Sequence, residues 1–417
     1  MVFDVIIIGA GAAGLFAATV AAERGKKVLL LEKNAKIGVK ILMSGGTRCN
    51  ITQNTDSAGI AEGFRSNGKF LRSALARLTP SDVVQWVESE GVDTKIELTG
   101  KIFPVSDRAV DVRNAILDRL KRSPDVLIRN KAGVTNVECV EGNFRVSTPE
   151  KQWSAKKLIL ASGGKSYPGC GTTGDGYQWA IDLGHTLVPT APALTPLVSP
   201  EQWVKDLSGL SIDPCLVGVF EKSDLPRISA KNFSKLAITS SRSSLLFTHF
   251  GCSGPAAMNV SREFAYRPQG NLTLVVDFLP DENLDSLRNW LLLMENQAKV
   301  AQSALAGKVP SRLLHLLVQR AGIAQDQRLA EIKRLSLQKL LGLLKGCPVA
   351  IEGVRGYKKA EVTAGGVNLK EVNSQSMESK ICSGLYFAGE ILDLDGPIGG
   401  FNFQSAFSTG YLAGLSI

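Results

Sequence analysis

The sequence predicts an α/β protein with a Rossmann-type dinucleotide-binding domain, built from both ends of the chain and interrupted by an inserted domain. A short apolar run at residues 4–8 leads directly into the glycine pattern GAGAAG at residues 9–14. Strand-like runs that end in glycine recur at residues 157–164 and 385–389. Between them, from about residue 191 to 360, short turn-punctuated segments give way to leucine-rich helical periodicity. This order is typical of a doubly wound domain that carries an insertion.

The opening βαβ unit carries the strongest signal. Residues 4–8 are apolar and mostly β-branched, which is typical of a strand buried on both faces. An alanine-rich segment to about Arg24 favours a helix, and residues 28–31 predict a second strand that ends in Glu32. Strand, glycines, helix, second strand and acid therefore follow in the order of a dinucleotide-binding fingerprint.

Each glycine of the motif has its own predicted role. Gly9 allows the turn after the strand, Gly11 lets a pyrophosphate approach the backbone, and Gly14 allows helix and strand to pack closely. The helix N-terminus offers free N–H groups and a positive dipole to phosphates, and Glu32 can accept hydrogen bonds from a ribose diol. A membrane span or signal peptide is not expected, because three glycines interrupt this uncharged run and no basic segment precedes it.

The next part of the chain alternates loops and helices. Residues 33–52 lack periodicity and are rich in glycine, serine and basic residues, which predicts a loop lying along the cofactor. Helices are expected over 70–89, with a break and a cap at 79–82, and over 109–121. Residues 101–104 are interpreted as a short turn.

Strands are expected at residues 126–129, 133–140, 144–147 and 157–161, with a hairpin turn at 141–143. The prolines after residue 188 mark a crossing into a different domain. We therefore predict a dinucleotide-binding domain formed by residues 1–190 and 361–417, a mainly-β substrate domain formed by 191–280 and completed by 346–360, and a helical subdomain formed by 281–345.

Composition limits the function classes. The seven cysteines among the 417 residues form no CxxC pair, which argues against a zinc site and against a disulfide framework. We expect no bound metal, no membrane association and a cytoplasmic location. The net charge of +9 suits an anionic partner such as nucleic acid, although a solvated basic surface gives the same figure. The sequence makes no prediction about oligomeric state.

Longer motifs spread over nearly the whole chain carry a resemblance to a known family. They are residues 9–14, 38–40 with 44–50, 166–168 with 173–177, 247–251 with 253–255, and 389–404. They resemble the FAD-dependent flavoproteins that include aminoacetone oxidase, a bile-acid reductase and a 23S ribosomal RNA dihydrouridine synthase. Thr47 and Gln53 stand where that family usually has Gly and Asn, and Cys170 stands where it has no fixed cysteine.

The resemblance implies a glutathione-reductase-like FAD-binding domain of Rossmann type, with an inserted mainly-β domain and a helical subdomain. The cofactor-binding residues that it implies include the motif glycines Gly9, Gly11 and Gly14. The other contacts that it implies are Ala12 and Ala13 at the pyrophosphate; Glu32 and Lys33 at the adenosine ribose; Lys40, Ser44, Gly45, Arg48 and Asn50 near the flavin; Val134 on the strand that usually meets the adenine; Ala161, Ser162 and Gly163 flanking the nucleotide; Gly389 and Glu390 facing the ribityl chain; and Gly400, Phe401, Asn402 and Phe403 at the pyrimidine edge of the isoalloxazine ring. Backbone N–H groups and a helix N-terminus at that edge can stabilise an anionic reduced flavin.

Reduction of a carbon–carbon double bond by flavin requires a proton as well as a hydride. Candidate proton donors are Cys49, Tyr167 and His249. The neighbouring Arg48 predicts a lowered Cys49 pKa, which favours a thiolate over a donor. The alternative interpretation, which we favour, is that Cys49 is a small residue that packs under the cofactor. His249 has a hydrogen-bonded structural role as its alternative, and His185 is interpreted as structural. Since no second glycine fingerprint follows a strand, NAD(P)H is expected only as a transient reductant.

Three functions from different classes remain. The first is reduction of uridine in ribosomal RNA, for which the basic residues of the inserted segment are candidate phosphate contacts: Lys222, Arg227, Lys231, Lys235, Arg242, Arg355, Lys358 and Lys359. The second is a small-molecule activity, either an amine oxidase or an enone reductase. The third is a flavin-binding protein without catalysis of its own.

Overall fold

The chain forms two units in a computed structural model, which describes residues 3–229, 232–267 and 270–417. The first unit consists of Met1–Ala191 together with Glu361–Ile417, and the second consists of Pro192–Ala360. The chain therefore leaves the first unit once and returns to it once.

The strands, in chain order, are β1 (Phe3–Ile8), β2 (Val28–Leu31), β3 (Thr52–Gln53), β4 (Thr94–Ile96), β5 (Lys101–Pro104), β6 (Val126–Arg129), β7 (Asn136–Val140), β8 (Asn143–Ser147), β9 (Gln152–Leu160), β10 (Leu187–Ala193), β11 (Leu197–Val198), β12 (Ser211–Glu221), β13 (Thr239–Thr248), β14 (Gly251–Ser253), β15 (Leu272–Asp277), β16 (Cys347–Val349), β17 (Gly353–Val354), β18 (Val362–Val367) and β19 (Leu385–Phe387).

The α-helices are α1 (Ala12–Glu23), α2 (Val39–Thr47), α3 (Ser57–Gly63), α4 (Gly68–Arg77), α5 (Pro80–Ser89), α6 (Ala109–Lys121), α7 (Asp175–Asp182), α8 (Gln202–Asp206), α9 (Phe233–Leu236), α10 (Gly254–Tyr266), α11 (Leu284–Leu292), α12 (Met294–Gln297), α13 (Ala301–Ala304), α14 (Ser311–Arg320), α15 (Arg334–Gly346) and α16 (Phe401–Leu415). Short 3₁₀ turns occur at Arg65–Asn67, Pro168–Cys170, Lys222–Arg227, Leu329–Glu331, Tyr357–Lys359, Leu369–Glu371 and Gly389–Ile391.

A mainly parallel sheet organises the first unit. Its order is β6-β2-β1-β9, with β19 parallel to the second half of β9 and the β7–β8 hairpin antiparallel to its first half. The register pairs Ile8 with both Leu31 and Leu160, and it pairs Leu160 with Phe387. Four strand ends therefore meet at one edge, which is where doubly wound sheets bind nucleotides. The predicted α/β Rossmann-type architecture is confirmed.

Helices α1 and α16 pack closely against each other because glycines of α16 allow it. A Cβ on Gly410 would lie 2.2 Å from the carbonyl oxygen of Ala13, and a Cβ on Gly414 would lie 2.6 Å from that of Ala17. The rings of Phe16 and Phe407 meet with their centroids 4.5 Å apart. This packing places the N-terminus of α16 in the same unit as the glycine turn at the start of α1.

Three local predictions in the first unit are wrong. Residues 33–52 contain the helix α2, which begins after Gly38 in the left-handed region (φ 67°) and is interrupted at Ser44, Gly45 and Gly46. Residues 101–104 form β5, which pairs with both β3 and β4 and is not a turn. Val134 was predicted to lie on a strand over residues 133–140, but it precedes the observed strand, because β7 begins at Asn136.

The second unit is built on a seven-stranded sheet in the order β16-β15-β12-β13-β14-β11-β17. Helices α11 to α15 follow the β15 strand, as the leucine periodicity predicts. Helix α10 was not predicted; it has 13 residues with Pro255 in its first turn and lies within the segment expected to be mainly β. Separately, β10 and β18 pair with each other in a sheet of two strands.

Candidate cofactor site

The three motif glycines have different surroundings in the turn between β1 and α1. A Cβ on Gly9 would lie 2.4 Å from the carbonyl oxygen of Ala161, and a Cβ on Gly14 would lie 1.8 Å from that of Gly9. A Cβ on Gly11 would meet no heavy atom within 4 Å among the described residues. Gly9 and Gly14 therefore permit packing, whereas Gly11 borders open space.

That open space lies at the N-terminus of α1. Gly11 is the N-cap residue, no side chain caps the helix, and its first turn holds no acidic residue. The amides of Ala12 and Ala13 belong to the first turn, whose N–H groups have no partner within the helix. An uncapped helix N-terminus beside open space fits a pyrophosphate.

Glu32 stands at the carboxyl end of β2 beside this turn. One carboxylate oxygen accepts the N–H of Ala10 at 2.9 Å, and the other accepts the N–H of Asn34 at 2.8 Å. The side chain is held in place with unused acceptor positions, which fits a ribose. Lys33 points elsewhere, since its Nζ lies 2.6 Å from both Thr173 Oγ1 and Asp175 Oδ2.

The end of β9 closes the opposite side of the turn. Ala161 donates its N–H to the carbonyl oxygen of Ile8 at 2.9 Å. The hydroxyl of Ser162 is buried with no hydrogen-bond partner in the described part of the chain. An orphaned hydroxyl at the carboxyl edge of the sheet fits a nucleotide as its missing partner. Val134 is half-buried in the segment that leads to β7.

A polar cluster joins four distant segments of the first unit. One oxygen of Glu390 pairs with Lys40 Nζ, and the other accepts the Ser166 hydroxyl and, at 2.9 Å, the N–H of Thr363. Lys40 Nζ also donates to Ser166 Oγ at 2.7 Å. Ser166 is fully buried, and the side chains of Lys40 and Glu390 are 28% and 18% exposed. The structure thus brings Lys40 and Glu390, both predicted to contact the cofactor, into one ion pair.

Ser166 lies within one of the motifs that carry the family resemblance, whereas Thr363 lies outside all of them, and neither was predicted to contact the cofactor. No spacing rule links residues 166, 363 and 390, so their convergence appears only in the fold.

The loop after α2 is bent by residues in the left-handed region. Gly45 and Gly46 have φ of 55° and 68°, and they are followed by Thr47 at 71° and Cys49 at 63°. The carbonyl oxygen of Ser44 accepts the N–H of Cys49 at 3.1 Å and stabilises the bend. Such conformations are costly for non-glycine residues and are often found at functional sites.

The guanidinium of Arg48 has two acidic partners and one aromatic partner. Its guanidinium lies 2.7 Å from Glu97 and 3.5 Å from Asp107, and it stacks over Phe103 at 4.0 Å. Cys49 is completely buried, and burial raises its pKa to about 12. The prediction that Arg48 lowers the Cys49 pKa is therefore wrong, because desolvation dominates and the guanidinium is neutralised elsewhere.

The N-terminus of α16 meets this same loop. Gly400 is its N-cap residue with φ 93°, and a Cβ there would lie 2.5 Å from the backbone of Thr52. With its amide oriented to donate to Thr52 O and Ile102 O, Asn50 accepts the Gly400 N–H at 2.9 Å. The Asn402 side chain accepts the N–H of Gly396 at 2.8 Å. Phe401 and Phe403 in the first turn of this helix are half-buried.

The three candidate proton donors occupy different places. Cys49 and Tyr167 belong to the first unit, and His249 belongs to the second. Tyr167 is half-buried, holds a left-handed backbone conformation (φ 56°) and follows Ser166 of the polar cluster. His249 is exposed between β13 and β14, with its ring edge-on to that of Phe250.

Comparison with known proteins decides the family. Residues 3–416 match a family model described as the HI0933-like protein Rossmann domain. The chain belongs to this family. Together with the site geometry, membership of the HI0933-like family identifies an FAD-dependent oxidoreductase, as the resemblance of the motifs implied.

Three curated relatives match over nearly their whole lengths. The chain is 34% identical to a ribosomal RNA dihydrouridine synthase of Haemophilus influenzae, covering 99% of this chain and 98% of the relative. It is 35% identical to a ribosomal RNA dihydrouridine synthase of Escherichia coli, with coverages of 98% and 96%. It is 31% identical to a 3-dehydro-bile acid delta(4,6)-reductase of Clostridium scindens, with coverages of 98% and 97%.

A solved structure shares the fold. A mutant FrdA of Escherichia coli quinol fumarate reductase superposes with a TM-score of 0.51 at 16% identity, covering 99% of this chain and 69% of that one. Within the described ranges, no helix of the chain is long and apolar enough to cross a membrane. The same residues contain no group of three or more His, Cys, Asp or Glu side chains placed to hold a metal ion.

Proposed function

We propose that this protein reduces uridine to dihydrouridine in ribosomal RNA, with FAD as its cofactor. The observation that carries the proposal is the end-to-end similarity to two relatives named ribosomal RNA dihydrouridine synthase. The net charge of +9 supports an anionic polymer as the substrate. Since ribosomal RNA is a cytoplasmic substrate, we propose the cytoplasm as the place of action.

The candidate phosphate contacts of the second unit differ in whether an acidic side chain pairs with them. Arg242 pairs with both carboxylate oxygens of Asp281 at 2.6 and 2.7 Å, and Arg227 lies 3.2 Å from Asp224, so these two arginines have local anionic partners. Lys231 lies outside the described residues. The other members are exposed, namely Lys222, Lys235, Arg355, Lys358 and Lys359. We assign phosphate binding to this exposed group.

Arg355 has a second feature of RNA-binding surfaces. Its guanidinium stacks over the ring of Phe250 at 4.3 Å, and the ring of His249 lies 5.0 Å from the same phenyl group. Unstacked RNA bases are recognised by stacking on aromatic rings and on arginine planes. We therefore assign His249 to substrate contact on this surface of the second unit.

The chain's own residues would bind the cofactor and offset its negative charge. Bound FAD supplies the hydride. The N-terminus of α1 would hold the pyrophosphate and Glu32 the ribose, while the N-terminus of α16 would offset negative charge at the pyrimidine edge. Lys40 and Glu390 would hold each other in position beside the ribityl chain. NAD(P)H is our proposed reductant, binding transiently.

We assign proton donation to Tyr167. It is half-buried, and it follows Ser166 of the polar cluster around Glu390. Cys49 suits this role less well, because its thiol is completely buried and burial raises its pKa to about 12. The buried thiol fits the alternative interpretation, in which Cys49 packs under the cofactor.

Enone reduction on a small molecule is the second candidate function. The relative named 3-dehydro-bile acid delta(4,6)-reductase supports it, since the similarity again covers nearly the whole chain. The two functions differ in their dependence on charge. Reduction of a neutral enone would not respond to salt, whereas RNA binding would weaken steeply.

Deletion of the gene tests the proposed function directly. Ribosomal RNA from the deletion strain should lose one dihydrouridine signal in nucleoside and fragment mass spectrometry, and wild-type protein should restore it. A Tyr167→Phe protein should bind FAD normally yet restore the signal at least tenfold more slowly. An unchanged modification profile in the deletion strain would contradict the proposal.

A further inference from the structure

Two cysteines from distant parts of the first unit lie close together. Cys139 is exposed on β7, the edge strand of the main sheet, and Cys382 is half-buried just before β19. Both are free thiols. All seven cysteines lie in the described part of the chain, and Cys139 is the one that is exposed.

The strand register places the Cys139 side chain on the face of the hairpin that packs against the turn carrying Cys382. Cys139 pairs with Phe144 in the β7–β8 hairpin, and directly opposed residues of an antiparallel pair project from the same face. The buried ring of Phe144 lies 3.3 Å from the position of a Cβ on Gly384. Gly384 belongs to a tight turn that begins at Cys382 and ends at Leu385, whose N–H donates to the Cys382 carbonyl oxygen at 3.2 Å. The side chain of Cys139 therefore faces the turn that carries Cys382.

The turn is held in place independently of the thiols. The N–H of Cys382 donates to the hydroxyl of Ser379 at 2.8 Å, and the N–H of Gly384 donates to Glu378 at 2.9 Å. The Cys139 thiol also affects the pKa of Cys382. Burial raises the pKa of Cys382 to about 11, and the neighbouring Cys139 thiol adds to this increase.

We propose that Cys139 and Cys382 form a reversible disulfide when the protein meets a hydroperoxide. The Cys139 sulfur attacks one oxygen of hydrogen peroxide, the O–O bond breaks, and water leaves, which gives a sulfenic acid. The Cys382 sulfur then attacks the Cys139 sulfur, the S–O bond breaks, and a second water leaves as the S–S bond forms. Two thiols are oxidised by two electrons, and the peroxide, which takes up their two protons, is reduced to two waters. A dithiol reductant reverses the change.

The bridge would join the two sequence segments of the first unit. Cys139 lies before the second unit in the chain and Cys382 lies after it, so the closed loop would contain the whole of Pro192–Ala360. Closing a long loop restricts the unfolded chain. We expect the thermal midpoint of the oxidised protein to lie roughly 5–10 °C above that of the reduced protein.

Peptide mapping of the holoprotein tests the proposal. After treatment with hydrogen peroxide, alkylation and proteolysis, the peptides that contain Cys139 and Cys382 should appear joined, and dithiothreitol should separate them. In a Cys382→Ser protein, the sulfenic acid of Cys139 should persist and react with dimedone, whereas the wild type should show at least tenfold less labelling. A Cys139→Ser protein should keep Cys382 reduced under the same treatment.

The absence of a joined peptide from the wild type would overturn the proposal, and so would equal dimedone labelling of the wild type and the Cys382→Ser protein. The wild-type map decides the question even if one variant fails to fold. The flavin absorbance and thermal midpoint of each reduced variant serve as folding controls.

Discussion

At the scale of the residue, Thr47 holds a conformation that β-branched side chains rarely adopt. Its φ is 71°, between Gly46 at 68° and Arg48 in the right-handed region. The family that the motifs resemble usually has glycine at this position. The positive φ gives a physical reason for that glycine.

We predict that Thr47→Gly raises the free energy of unfolding by about 0.5–1 kcal/mol, because relief of strain exceeds the added entropy of the unfolded chain. Chemical denaturation measures the change. Gly46→Ala is the matched control: a Cβ there meets nothing within 4 Å in the described structure, so the substitution should cost about 1 kcal/mol through backbone strain alone. A loss of stability in Thr47→Gly would contradict this account.

His185 is a buried base between two polar partners. Its Nε2 lies 2.8 Å from Ser379 Oγ, and its Nδ1 lies 3.3 Å from a carboxylate oxygen of Glu371. Burial lowers the pKa of His185, and Glu371 opposes this effect only in part. These contacts fit the structural role that the sequence suggested.

Because the pKa of folded His185 is depressed, the unfolded chain binds a proton in a pH range where the folded chain does not. The free energy of unfolding should therefore fall as the pH drops below about 6.5, by at most about 1.4 kcal/mol per pH unit. His185→Gln should flatten this slope, and the control His315→Gln should leave it unchanged. The slope from denaturation at several pH values is the measurement, and an equal slope in His185→Gln and the wild type would exclude this role.

At the scale of the element, the glycine turn before α1 separates binding from packing. Gly11 borders open space, whereas Gly14 contacts the backbone of Gly9. We predict that Gly11→Ala folds with an apoprotein thermal midpoint close to that of the wild type, yet binds FAD at least tenfold more weakly, because its methyl group enters the pyrophosphate space.

Gly14→Ala should instead lower the midpoint of the apoprotein, since its Cβ would lie 1.8 Å from the Gly9 carbonyl oxygen. Flavin fluorescence titration and thermal unfolding distinguish the two effects. Equal stability losses in both variants would show that Gly11 is also required for packing.

The elements that the sequence predicted well carry their own signals. Residues 109–121 were predicted as a helix, and α6 has these bounds because its apolar periodicity is complete. The break at residues 79–82 is a capping box, in which Thr79 and Asp82 exchange hydrogen bonds. Such signals are local, so neighbouring residues suffice to predict them.

The elements that were missed depend on distant partners. β5 contains four residues and is a strand because β3 and β4 flank it. In α2, the glycine and serine residues near the C-terminal end are typical of a loop, so the helix that begins at Val39 was not predicted. The pairing of Lys40 with Glu390 spans 350 residues of chain, and no local pattern predicts it.

At the scale of the whole molecule, the residues predicted to bind FAD and the basic residues proposed to bind RNA lie in different units of the chain. Every residue predicted to contact FAD lies in the first unit, whereas the exposed basic group proposed for RNA lies in the second unit. Substrate affinity and flavin affinity should therefore respond to different substitutions.

We predict that binding of ribosomal RNA fragments weakens with salt, with a log–log slope of several units, and that replacing both Lys358 and Lys359 with Gln lowers the slope by about 1–2. FAD affinity should stay unchanged in the double variant. Lys26→Gln with Lys27→Gln, a substitution in the first unit, is the matched control. A slope near zero would favour the small-molecule function.

A single-turnover reaction tests the central claim most directly. The purified protein is reduced anaerobically and mixed with ribosomal RNA from the deletion strain, while the flavin absorbance and the dihydrouridine content of the RNA are followed together. The account predicts that the flavin is reoxidised and that one dihydrouridine appears for each flavin, at one position in the RNA. Flavin that stays reduced with ribosomal RNA but is reoxidised by an enone would contradict it, and would identify a small-molecule reductase instead.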